Sequence, residues 1–264
     1  MWALRHPAAA ARLPFHHGWL ESRAVAAACL AALVTSSVGL VPAEVAAVIG
    51  VATLHGGLLA AALVWGGIPV REAVPVIALL ALARTAVALH PVGAVLYLAV
   101  PLWLVVLAAN GRLSRLGLAP PWRWGGVVIG TLAGIALALH LIACASRTLG
   151  YGVRVDAATV LPALAYDVGA NVLSAELFFR GALFQHLWRR WTFGVALALA
   201  AGAAALRYVL DPFVATIELR VGAAVYMGLL AILNGTLLRW SGSLLPGIAA
   251  ATMFFACYRL LASG

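Results

Sequence analysis

The chain has 264 residues, of which 65% are hydrophobic and only 9% charged, and its mean hydropathy is +1.05. So apolar a composition excludes an ordinary water-soluble domain or a disordered regulator and leaves a polytopic membrane protein. The formal net charge of +9 sits largely in arginines at the ends of apolar runs, so the expected partner is the anionic face of a lipid bilayer, with no nucleic acid.

Residues 1–23 carry Arg5, Arg12, Arg23 and three histidines before any long apolar run, whereas a cleavable signal would be expected to place its apolar core earlier. They read as a basic cytoplasmic or interfacial leader, or as a solvated basic tail. A bilayer core takes about 20 apolar residues per helix. Spans are expected near 24–41, 45–65, 73–89 and 92–109, giving an amino-terminal four-helix membrane region over 24–109. Residues 110–124 form a basic, Pro-containing connector with Arg112, Arg115, Pro120, Pro121 and Arg123, where charge and helix breakers coincide.

A second membrane domain follows over 125–264, with spans near 126–145, 161–187, 193–210, 221–238 and 244–261. The expected fold is therefore all-α, a polytopic transmembrane helical bundle of about nine helices. The 161–187 run exceeds what a bilayer demands and implies tilt. Loop arginines such as Arg71, Arg112, Arg115, Arg189, Arg190 and Arg239 weight one side, which places the amino terminus in the cytoplasm of a bacterial-type plasma membrane. All 17 basic residues are Arg, a compositional bias that weakens any argument from Arg clusters. Cys29, Cys144 and Cys257 stand singly in apolar runs and suggest neither a disulfide nor a metal site.

Chemistry concentrates in Ser174-Ala175-Glu176-Leu177-Phe178-Phe179-Arg180-Gly181. Glu176 and Arg180 are at i and i+4 on one helix face and can neutralise each other where an isolated charge is costly. Asp167, Asn171 and Ser174 form a second polar stripe on roughly the opposite face. Asp167 is expected near the outer interface and solvated, with a water-filled cavity as the functional alternative. Glu44 and Glu72, near span ends, are expected to be solvated, and Arg84 to pair or snorkel. His55 and His140 are lone intramembrane imidazoles, a type more often held by hydrogen bonds than by a metal, and His186 falls in an interfacial Trp/Arg belt.

The octet resembles the first motif of the CPBP family, the intramembrane proteases that include CAAX prenyl endopeptidases and bacteriocin-processing relatives. Further resemblance lies in Leu116-Gly117-Leu118 ahead of Pro121-Trp122-Arg123-Trp124, in Asp211-Pro212, and in Ser241-Gly242-Ser243-Leu244-Leu245-Pro246. It covers the chain from Leu116 onward and makes the carboxy-terminal half CPBP-like. The resemblance implies a base from Glu-Glu-x-x-x-Arg, a histidine from the next motif, and a histidine with an asparagine from the third. Here the first Glu falls on Ala175, the second-motif histidine on Tyr208 or Val209, the third-motif histidine on Ala251 and its asparagine on Phe255. No histidine follows His186, so no shift of register restores the set.

The leading expectation is thus a catalytically inactive homologue that binds a membrane segment, a lipidated peptide or a partner subunit, with Glu176 and Arg180 retained as a structural pair and no cofactor. One alternative is an active endopeptidase with a divergent site, Glu176 recruiting His140 or His55, and only then zinc or another divalent metal. The other is a small transporter or channel, suggested by the two polar stripes on one helix.

Overall fold

The computed structural model describes residues 18–37, 41–120, 122, 124–209 and 216–262. Most of the leader and the Asp211-Pro212 element lie outside the described residues. Within them the chain is helical almost throughout, and five helices are long and apolar enough to cross a bilayer: Ala43–Trp65, Val70–Leu89, Pro91–Ala109, Trp124–Leu149 and Ile217–Ser241. Shorter helical runs accompany them, including Gly18–Ser37, Phe193–Val209 and Leu245–Tyr258. This is an all-α, multi-pass membrane bundle. Its outward Leu, Val and Ile side chains, among them Leu102, Val128, Leu132 and Val221, would be a liability in water and suit a lipid surround.

The chain divides into two compact units that are not continuous in sequence. One holds the described residues through Pro120 together with Val155–Phe178, and the other holds Trp122 to Arg154 and the residues from Phe179 onward.

In the first unit, Ala43–Trp65 is the central helix, and Leu59, Ala60, Ala61, Ala62 and Leu63 on it are fully buried. Small residues explain why neighbours come so close. A Cβ on Gly57 would lie 2.6 Å from Cys29 Sγ, and one on Gly169 would lie 2.1 Å from the Tyr97 carbonyl oxygen. Ser22 Oγ donates to the Ala61 carbonyl at 2.9 Å and ties Gly18–Ser37 to this centre. Glu72 is not merely solvated as expected: it pairs with Arg112 at 2.7 Å, although both side chains stay over a third exposed. Such a pair contributes little, about 0–1 kcal/mol.

In the second unit the dominant packing is Trp124–Leu149 against Leu245–Tyr258. On the longer helix Gly126, Gly130, Gly134 and Ala138 repeat every four residues and are buried, while Leu132 and Leu139 point outward. This small-residue stripe lets two backbones meet without side chains between them. Ile217–Ser241 starts on Thr216, whose Oγ1 accepts from Leu219 N at 3.3 Å, and stops at Gly242 in the left-handed conformation, φ 69°. A two-residue antiparallel pairing, Gly152 with Ala262 and Val153 with Leu261, closes one end of this unit.

The helical run over 157–188 carries the octet. Asp156 caps it, accepting from Ala158 N at 3.2 Å and from the Thr159 hydroxyl at 2.6 Å. Beyond Tyr166 the run is no longer regular α-helix. Asp167–Val172 and Glu176–Phe184 are wound as π-helix, as is Ala52–Gly57 in the centre of Ala43–Trp65. Short π-helical insertions of this kind recur at functional sites.

Candidate functional site

Of the family-like positions of the second unit, Tyr208 and Phe255 come together through their aromatic rings. Tyr208, near the end of Phe193–Val209, places its ring 6.0 Å from that of Phe255 on Leu245–Tyr258, inclined at 32°. Phe254 meets Phe255 edge to face at 5.6 Å, and Tyr258 does so at 6.4 Å. The Arg207 guanidinium lies 4.9 Å from the centre of the Tyr208 ring. Ala251 and Phe255 are buried, and Val209 is half-buried. The side chains at Ala251, Phe255 and Val209 offer no lone pair to water or a metal. Aromatic pairs of this geometry contribute about 0.5–1.5 kcal/mol beyond their buried area.

In the first unit Ala175 is buried and Glu176 is 1% exposed, while in the second Arg180 is 5% exposed. The motif carboxylate and guanidinium are therefore both withdrawn from solvent, although each lies in a segment wound wider than an α-helix.

The two candidate histidines are engaged separately, each inside its own unit. His140 Nδ1 lies 2.9 Å from the Tyr226 hydroxyl and joins Trp124–Leu149 to Ile217–Ser241, with Cys144 Sγ one turn further on at 3.8 Å from the same nitrogen. This is a cross-helix polar clasp of the sort that membrane bundles use. Among the described residues no group of three or more His, Cys, Asp or Glu could hold a metal ion.

His55 belongs to a more extensive construction. Its Nδ1 lies 3.2 Å from Ser174 Oγ, and its Nε2 makes a short hydrogen bond with the Tyr166 hydroxyl. Ser174 Oγ donates to the Asn171 carbonyl at 3.0 Å, and Asn171 Nδ2 donates to Asp167 Oδ1 at 3.2 Å. Tyr97 meets Tyr166 edge to face at 5.4 Å. His55, Asp167, Asn171 and Ser174 are all buried, Asp167 and Ser174 completely.

Burial of Asp167 reverses the expectation that it is solvated at the outer interface. The polar helix start is taken by Asp156, and Asp167 follows it by about 16 Å of helical rise. It thus lies well inside the run. Sequence reading recognised the stripe of Asp167, Asn171 and Ser174 but missed Tyr166, and it missed that His55 faces this stripe. A lone histidine beside Gly56 and Gly57, where another helix can approach closely, was the available signal.

No family model, curated protein or solved structure matches this chain.

Proposed function

We propose that this chain is a CPBP-like, CAAX protease-like membrane protein of about nine spans that has no hydrolytic activity and binds a membrane segment. A lipidated peptide or a partner membrane subunit fits the same reading, as does a cytoplasmic amino terminus in a bacterial-type plasma membrane. The observation that supports it is the meeting of Tyr208 with Phe255. Tyr208 and Phe255, two positions where the resemblance implies a histidine and an asparagine, lie ring to ring instead. Hydrolysis of the family's kind needs a positioned base, a held water and an oxyanion donor. Ala175, Val209, Ala251 and Phe255 supply none of these.

In this reading Glu176 and Arg180, four residues apart along one helix, keep that helix electrically neutral, because a single unpaired charge in the bundle is the costly state.

The test uses purified protein in liposomes with a farnesylated peptide and, separately, a hydrophobic transmembrane peptide carrying a photo-crosslinker. We expect both peptides to be recovered uncut, at the level given by Glu176→Gln and with or without added zinc, and the transmembrane peptide to crosslink. Cleavage that disappears in Glu176→Gln would establish a divergent active site and overturn the reading. Absence of crosslinking to any membrane peptide would remove its binding half.

A further inference from the structure

The string from Tyr166 to Asp167 is independent of the family-like positions, and its proton inventory can be worked out. Ser174 has one hydroxyl proton, which goes to the Asn171 carbonyl at 3.0 Å. Its oxygen is then the acceptor towards His55 Nδ1 at 3.2 Å, which requires the proton on Nδ1. A neutral imidazole protonated at Nδ1 has a lone pair at Nε2, so the Tyr166 hydroxyl donates there. Asn171, in turn, uses an amide hydrogen on Asp167 Oδ1. Each of these four bonds thus has one donor and one acceptor.

This arrangement admits a second state at the cost of one bond rotation. A proton added at His55 Nε2 gives imidazolium, both of whose N–H groups donate. Tyr166 then turns its O–H about the C–O bond and accepts through oxygen, while Ser174, Asn171 and Asp167 keep their bonds. The positive charge appears in a unit that already buries the Asp167 carboxyl. We propose that this string is an intramembrane proton-binding site, with His55 as the group that takes the proton, Tyr166 as its reversible partner and Asp167 as the compensating carboxylate.

Two further observations favour a site over plain packing. Ionisable groups buried within a membrane bundle are rare and mark ion or proton pathways. The two segments that present His55 and Asp167, Ala52–Gly57 and Asp167–Val172, are both π-helical, a winding that is uncommon outside functional sites. Ionisable groups on the other elements packed against Ala52–Gly57 are Glu21, Arg23 and Cys29 on Gly18–Ser37, Glu44 near the start of Ala43–Trp65, and Arg84 on the stretch Pro75–Leu89.

The experiment is infrared difference spectroscopy on the full chain in lipid nanodiscs, between about pH 8 and about pH 5, the range in which imidazole ordinarily titrates. We expect an imidazole-to-imidazolium band together with a shift of a tyrosine C–O mode, and loss of both in His55→Gln. Tyr166→Phe should keep the imidazolium band and lose the tyrosine shift. Asp167→Asn should lower the midpoint, since a carboxylate at the end of the same hydrogen-bonded string favours the charged imidazole. Should His55→Gln fail to fold, the other two variants decide. A wild-type spectrum matched by His55→Gln, a tyrosine shift that survives Tyr166→Phe, or a midpoint unmoved by Asp167→Asn would each overturn the proposal.

Discussion

Gly130→Leu is expected to cost about 3 kcal/mol or more, the upper end of the range for overpacking a close contact, and to leave the second unit largely unfolded in detergent. A Cβ at this position would lie 2.1 Å from the Pro246 carbonyl oxygen, and one at Gly134 would lie 2.2 Å from that of Ala250. Both obstacles are backbone, so no rotamer change relieves them and the two helices must move apart. Their separation would displace Leu245–Tyr258, the helix that carries Phe255 to Tyr208. Gly125→Leu, next in sequence to the stripe, is the control: a Cβ there meets nothing within 4 Å. Thermal unfolding followed by size-exclusion profile should separate the two variants clearly. Equal melting would mean that Trp124–Leu149 and Leu245–Tyr258 do not pack through the glycine stripe.

His55→Leu is expected to destabilise the first unit by about 1–3 kcal/mol, the range for taking a partner away from buried polar groups. The imidazole is shared by Tyr166 and Ser174, and a leucine serves neither. Tyr166→Phe removes only one bond and should cost less, about 0.5–1.5 kcal/mol. The loss in His55→Leu combined with Ser174→Ala should be smaller than the sum of the two single losses, because the second change removes a group the first has already deprived. Strict additivity in denaturant titrations of the reconstituted protein would show that the two side chains do not interact.

The architecture was legible because bilayer physics writes it plainly. A run such as 45–65, apolar and bounded by prolines, has few other solutions, and the helix Ala43–Trp65 ends within two residues of that reading. The split of the chain into two units was less accessible. Val155–Phe178 joins the front half through contacts far apart in sequence, among them Gly169 with Tyr97 and Ser174 with His55, and periodicity carries no information about such pairings. Asp167 was misplaced for a related reason. A carboxylate near the start of an apolar run usually marks the water boundary, but Asp156 occupies that role here, capping the helix earlier. The winding of Ala52–Gly57, Asp167–Val172 and Glu176–Phe184 had no signature in hydropathy, which does not distinguish π-helix from α-helix at this resolution of pattern.

The positions named from the resemblance fared differently from one another. Tyr208 and Phe255 converge, and Ala175 and Ala251 are buried; His140, named as an alternative ligand, is hydrogen-bonded with Tyr226. The chemistry of each position follows from residue identity alone. Their mutual distances required the fold.

The central claim, that the family-like positions form dry packing instead of a water-activating centre, is tested most directly by thiol labelling. With Cys29, Cys144 and Cys257 replaced by alanine, a single cysteine is introduced as Ala251→Cys, and its reaction with a membrane-impermeant maleimide is followed in liposomes and in open membranes. We predict a rate far below that of an exposed loop cysteine such as Arg190→Cys, as expected for a side chain that is almost fully buried. Labelling as fast as at the loop position would mean that water reaches Ala251, and the account would be contradicted.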